Sequence, residues 1–315
     1  MSLSFAAFFL GIIVLLAPAR GQAEVIHVGI STVGLYELPT EIAKRKGFYK
    51  EAGLEVRKVA VRTGLHAAAL LAGELDYSTV TGTILRASVQ GMPFRTVMGF
   101  FDKPLHILVA RRDIKQITEL KGKKVAVSAF GSTPHVMLRE TLSHYGMHPD
   151  KDVIILAVGG SSDRLAALAA GAVDATPLDV AYVERVEKLG LSNILYFGDV
   201  VNLRLGGFAA STDKIEKNPE QIQRVVRATL KGLRFLKSNK QETLSIMRDY
   251  LRLGDQAVDK VYEFALRSLN ADGTVAKSSL DTEIRLVKEQ LKIKEEIPES
   301  KVADWRFIKD VLSKM

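Results

Sequence analysis

The 315-residue chain contains no cysteine. That gap excludes disulfides, thiolate metal sites, thiol nucleophiles and a lipid-anchored amino terminus, all of which need the thiol. The short signatures of familiar catalysts are missing too: there is no P-loop, G-x-G-x-x-G, H-E-x-x-H or G-x-S-x-G. Aromatic residues make up only 7% and do not interleave with basic ones, so the formal charge of +8 is no nucleic-acid footprint. Lys and Arg are spread along the chain, which describes a mildly basic surface leaning towards anionic solutes. Low-complexity linkers are absent. With 47% hydrophobic and 25% charged residues, the composition is that of an ordinary globular protein.

No apolar run reaches a comfortable membrane span either. The longest, Phe5 to Ala17, is too short for one. Small residues at Gly21 and Ala23 fit the −3 and −1 positions of a signal-peptidase site. Residues 1–23 are therefore expected to be a leader and the mature chain an exported, periplasmic protein starting at Glu24. Only the terminal amine precedes the apolar run, a departure from the usual basic start. Losing Arg20 with the leader lowers the charge from +8 to +7.

What the chain does contain is an internal echo. Ala68 to Thr79 (AALLAGELDYST) and Ala166 to Pro177 (AALAAGAVDATP) lie 98 positions apart and read almost alike. Each is an apolar helix end, a Gly able to close it, an Asp, and a short strand. One recurrence suggests two similar α/β lobes, since a solenoid needs more copies. Strands alternate with helices in both blocks, which points to mainly parallel sheets covered on both faces. The expected organisation is a first lobe over 24–112, a second over 113–205, and a return to the first over 206–315. The strand Gly206–Ser211 is the return crossing, and two crossings make a hinge. From Asn218 the pattern is helical, with starts at Asn218-Pro219, Asn239 and Asp255, and this tail is expected to pack on the first block.

In an open α/β sheet, ligands bind beyond the carboxyl ends of the strands, where helix amino termini point free N–H groups. Three such junctions carry small hydroxyl residues and glycine: Ser31-Thr32, Thr81-Gly82-Thr83 and Gly131-Ser132-Thr133. Glycine lets the backbone approach, hydroxyls donate, and the helix ends favour an anion. The plainer role for Thr81, Ser132 and Thr133 is to cap their own helices. Tyr36 and Phe101 would suit a planar heteroaromatic, or merely cover the core. Asp102 and Asp179 end strands at the same level, and Asp179 is equally an N-cap. His144 and His148 have metal-ligand spacing, but Gly146 and Pro149 break the helix that would align them. Neither a metal nor a cofactor is expected.

Several runs together resemble a known family. They are KRKGFYKEAGLEV (Lys44 to Val56), LAGELDY (Leu71 to Tyr77), LKGKKVAV (Leu120 to Val127), FGST (Phe130 to Thr133) and ALAAGAVDA (Ala167 to Ala175). They resemble the extracytoplasmic solute-binding proteins of ABC importers, in the nitrate/sulfonate/taurine and thiamine-pyrimidine-precursor group (NMT1/THI5-like). The resemblance implies a two-lobed periplasmic-binding-protein fold of type II that closes on a small solute by hinge motion. The solute would be a sulfonate- or nitrate-like anion or a pyrimidine-type compound. The implied partner is a membrane permease driven by a separate ATPase, with the binding protein a monomer. Ligand positions carry over to Ser31, Thr81 to Thr83 and Gly131 to Thr133, then to Tyr36, Phe101 and Asp179. Two rivals stand beside this. One is an enzyme on the same fold, of the thiamine-pyrimidine or menaquinone-pathway type; the former's Cys-rich stretch is missing here. The other is a sensor that presents its ligand to a membrane kinase.

Overall fold

Each copy of the echoed motif closes a strand end in the same way. Asp76 accepts the His27 backbone N–H on Oδ2 at 2.7 Å and returns its own N–H to the His27 carbonyl at 2.9 Å. Asp174 does the same with Lys124, at 2.8 Å in both directions. The glycines before them, Gly73 and Gly171, sit at φ +73° and +72°, the left-handed helix ending that a side chain would strain. The echo is therefore a joint that sets the third strand of a sheet beside the first.

The structure is a computed structural model that describes residues 23–270 and 272–315. The expected leader, Ala23 apart, lies outside them. Strands β1 (Glu24–Ile30), β2 (Leu54–Ala60), β3 (Tyr77–Ser78) and β4 (Phe94–Phe101) belong to the first sheet. Strands β5 (His106–Ala110), β6 (Lys124–Val127), β7 (Ile154–Ala157), β8 (Ala175–Asp179) and β9 (Ser192–Tyr196) build the second, and β10 (Leu205–Ser211) returns to the first. The two five-stranded orders are β2-β1-β3-β10-β4 and β7-β6-β8-β5-β9. The same pattern is thus drawn twice, each sheet borrowing its fourth strand from a crossing.

Two expectations shift. The strand at His106 pairs with β8 and β9, so it belongs to the second lobe, and the outward crossing falls near 102–105 rather than after 112. A wholly buried strand reads alike in either sheet, so hydrophobicity could not place it. The sheets are also mixed. β1 runs parallel to β2 and β3, and β6 to β7 and β8, while the borrowed strands run antiparallel to their neighbours. The parallel share is smaller than alternating elements imply, because a strand arriving from the other lobe enters from the opposite end.

Helices α1 (Leu38–Arg45), α2 (Phe48–Glu51), α3 (His66–Leu71) and α4 (Thr81–Val89) accompany the first sheet. The second carries α5 (Thr133–His144), α6 (Ser161–Ala169) and α7 (Val183–Lys188). The tail forms α8 (Thr212–Lys217), α9 (Pro219–Ser238), α10 (Lys240–Leu251), α11 (Asp255–Ser268), α12 (Lys277–Leu291) and α13 (Arg306–Ser313). α9 buries Ile222, Val225, Val226, Leu230 and Leu233 at helical spacing and joins the first-lobe core. Asn218 opens it without a side-chain cap. Instead, Gln221 accepts the Tyr77 hydroxyl at 2.9 Å. No helix among the described residues is long and apolar enough to cross a membrane.

The tail does not keep to the first lobe as expected. The Gly254 N–H before α11 donates to Glu184 Oε2 at 3.0 Å, and Ser268 at its end meets the Tyr196 hydroxyl at 2.6 Å. On α12, Leu280, Ile284 and Val287 pack with Leu85 and Val89 of α4. Leu286 packs instead into the second-lobe core beside Met137 and Leu138. Arg285 reaches Glu140 of α5 at 3.2 Å. These two helices clasp both sheets, a contact that local sequence periodicity cannot reveal.

Candidate functional site

A cavity of about 510 Å³ opens between the lobes. Ser31, Thr32 and Tyr36 line it from the loop after β1, and Thr81, Gly82 and Thr83 from the start of α4. Ser132 and Thr133, at the start of α5, face them from the second lobe. The Gly159–Ser161 turn before α6 completes the wall. Three helix amino termini, from α4, α5 and α6, therefore end at one cavity, each with unsatisfied N–H groups and a positive dipole end.

The capping role weighed for these hydroxyls is not what they do. Ser132 precedes α5 but makes no side-chain cap; its Oγ donates to the Ala129 carbonyl at 2.7 Å and accepts from Ser128 Oγ at 2.8 Å. Thr81, Thr83 and Thr133 make no side-chain hydrogen bond among the described residues. Gly82 is one place where the lobes come close. A Cβ there would stand 3.1 Å from Thr133 Oγ1 and 3.2 Å from Glu283 Oε1 on α12. Glycine at this place sets how near the lobes can come.

Tyr36 lies at the back of the cavity, its hydroxyl 3.0 Å from Thr32 Oγ1. Burial, with Asp179 and Glu37 nearby, pushes the phenol up to about 12, so it stays neutral. Glu37, fully buried behind it, accepts the Thr79 hydroxyl at 2.6 Å, and burial lifts its carboxyl to about 7.

Three of the ligand positions implied by the resemblance, Phe101, Asp179 and Gly131, do not line the cavity. Phe101 is 1% exposed and packed in the core, because β4 is buried on both faces, Phe100 beside it included. Asp179 is also buried. Its Oδ1 accepts the Ala181 N–H at 2.8 Å, the capping role, and its Oδ2 abuts Gly34 of the first lobe. Burial raises it to about 6. Gly131 turns the chain at φ +79° and donates its N–H to His135 Nδ1 at 2.9 Å. Asp102 ends its strand as expected, bonded to Asn270 at 2.7 Å and to the Ala276 N–H at 3.2 Å. Among the described residues no group of acidic, histidine or cysteine side chains could hold a metal ion.

Sequence reasoning missed the basic groups of the wall: Arg62, His106, Arg164 and Arg204. Arg164 is 2% exposed. It donates to Thr176 Oγ1 at 3.1 Å, to the Pro177 carbonyl at 3.0 Å, to Ser161 Oγ at 3.1 Å and to the Gly159 carbonyl. Burial lowers it to about 10, so it remains charged. Burial and the Arg164 charge drive His106 down to about 3, leaving a neutral imidazole. Arg204, on the return crossing, meets Glu283 at 2.7 Å out of solvent. One signal was available: an Arg inside the apolar helix of the second motif copy is out of place unless buried for a purpose.

Two lobes joined by two crossings, with a polar cleft at the strand ends between them, define a periplasmic-binding-protein fold. The chain belongs to the NMT1/THI5-like family, whose model matches residues 36–243. Riboflavin-binding protein RibY of Chloroflexus aurantiacus is 27% identical over 241 residues, 70% of this chain and 66% of RibY. The 4-amino-5-hydroxymethyl-2-methylpyrimidine phosphate synthase THI13 of Saccharomyces cerevisiae is 24% identical over 251 residues, 71% of this chain and 67% of that protein. The chain thus spans about two thirds of the length of these curated relatives. The periplasmic aliphatic sulphonate binding protein SsuA of Escherichia coli shares the fold. Its TM-score is 0.71 at 18% identity, over 89% of this chain and 97% of SsuA.

Proposed function

We propose that this chain is the substrate-binding component of an ABC importer and not an enzyme. It captures a small solute, a sulfonate- or nitrate-like anion or a pyrimidine-type compound, in the interlobe cleft. It then delivers that solute to a membrane permease whose ATPase is a separate chain. Export to the periplasm with loss of residues 1–23 belongs to the same reading. The observation that carries it is the cavity itself, where unengaged hydroxyls and helix amino termini converge from both lobes. Such groups bind an acceptor without reacting with it. Among the described residues no hydrogen bond joins a cavity hydroxyl to a cavity imidazole, the pairing a nucleophile would use.

A thermal-shift screen of mature protein over sulfonates, nitrate, bicarbonate and pyrimidines tests this. A ligand at one hundred times its Kd stabilises by about 2.7 kcal/mol, and X-ray scattering should record compaction. The yeast synthases among the relatives favour a second reading, catalysis at the same cleft. Chromatography of each ligand after incubation with the protein separates the two: an importer's receptor returns it unchanged.

A further inference from the structure

The cavity wall is unequally charged. Arg62, Arg164 and Arg204 line it, against Asp163 as its acidic member among the described residues. Asp163 is engaged by the Gly160 N–H at 3.0 Å, and Arg204 has Glu283 beside it at 2.7 Å. Two guanidinium groups are left without a direct ion pair among the described residues, one from each lobe, although the Asp163 charge lies near enough to favour charged Arg164. Arg62, in the exposed turn between β2 and α3, makes no side-chain hydrogen bond or ion pair among the described residues. Arg164 is braced by neutral acceptors only, Thr176, Pro177, Gly159 and Ser161. A guanidinium held this way is rigid and keeps its charge. A buried cation without a hydrogen-bonded counter-ion is costly, and a bound anion would offset that cost. His106 lines the same cavity, 6% exposed, with Nδ1 unpartnered.

Resting on the solute-binding reading above, we propose that the solute is an organic oxyanion, a carboxylate or sulfonate. It is clamped between Arg62 of the first lobe and the Arg164-braced turn of the second. A neutral ring would leave both cations uncompensated. Arg62 then determines specificity: it meets the anion from the opposite lobe, so its contact exists only while the lobes are together.

The test is titration calorimetry on the mature full chain. The probes are short-chain alkanesulfonates and alkanecarboxylates, set against neutral 4-amino-5-hydroxymethyl-2-methylpyrimidine and riboflavin. An anion is expected to bind more tightly than either ring. Arg62→Gln should weaken it roughly ten- to hundred-fold, and Arg62→Lys should recover part of the loss. The fall of affinity with added salt should be shallower in Arg62→Gln. Arg62 is exposed and unpaired, so unchanged melting of the ligand-free variant confirms that folding is intact. Tighter binding of a ring than of every anion, or unaltered anion affinity in Arg62→Gln, overturns the assignment and leaves the solute-binding reading standing. If no probe binds, anion or ring, both fall.

Discussion

His66 and Arg164 occupy the same place in the two lobes, 98 residues apart. Each stands in or beside the echoed helix and bonds a hydroxyl at the matched position of the echoed strand. His66 Nδ1 lies 2.8 Å from Ser78 Oγ, and Arg164 Nε lies 3.1 Å from Thr176 Oγ1. The joint is shared, but its electrical character is not. Burial lowers the His66 ring, and Glu37 of the same lobe accepts the Thr79 hydroxyl with its acid form favoured. The second lobe puts a permanent cation in the corresponding slot. The skeleton is repeated, while a buried cation stands in only one of its two copies.

The sharpest way to break this comparison is to remove both basic groups in turn. Arg164→Met strips donors from Pro177 and Gly159, and should destabilise by about 3 kcal/mol in urea titrations. It should also weaken any anionic ligand by about a hundred-fold or more in calorimetry. His66→Phe should cost about 1–3 kcal/mol and leave affinity within about twofold. Equal affinity losses would show that the two slots do not differ as described.

Next in size is a pH effect read at Glu37 of the first lobe. Glu37 titrates near 7 when folded, against 4.5 for the free group, so the native state holds a proton that the unfolded chain has released. Its stabilising contribution is whole below pH 4.5 and is lost as pH rises through about 7. Wild type should therefore lose up to about 3 kcal/mol relative to Glu37→Gln between pH 4.5 and 8. His106 acts in the opposite sense, its contribution vanishing as pH falls from 6.5 through about 3. It is common to both proteins, as is Asp179 of the second lobe, raised by burial to about 6, and both cancel. A constant gap across this range would remove Glu37 from the account.

The repeated joint itself predicts near equality. Asp76→Ala and Asp174→Ala each lose a charged acceptor on a backbone N–H, and should each cost about 2 kcal/mol, agreeing within about 1 kcal/mol. Denaturant midpoints that differ widely would mean the two joints only look alike. The smallest change is Gly82→Ala, which asks Thr133 and Glu283 to give by a few tenths of an ångström. Ligand-free stability should move by less than about 1 kcal/mol, while affinity drops several-fold because closure is obstructed. Unchanged affinity would mean that Gly82 does not gauge the approach of the lobes.

Much of the fold was legible because its signals are local. The echoed Gly and Asp follow from turn chemistry, and the helix starts at Pro219 and Asp255 and the strand-to-helix junctions at Ser31, Thr81 and Ser132 from the local choice of residues, even though Thr81 and Ser132 make no side-chain cap. The site was legible to the same depth, as hydroxyls at helix ends. What stayed hidden depends on long-range pairing. His106–Ala110 looks like any buried strand until β8 and β9 claim it. Phe101 looked like a stacking residue until packing covered both faces of β4. Arg62, Arg164 and Arg204 come from three distant segments, and only tertiary packing brings their charges to one wall.

The borrowed strands carry a consequence for how the chain is made. β4 pairs along its length with β10 alone, which leaves the ribosome more than a hundred residues later. Until then Phe94–Phe101, an aromatic and aliphatic stretch, is an orphan edge open to unwanted partners. The second sheet can assemble as soon as β9 emerges. The half that is translated first is thus completed last, and a nascent chain halted before β10 should be the form most in need of a chaperone.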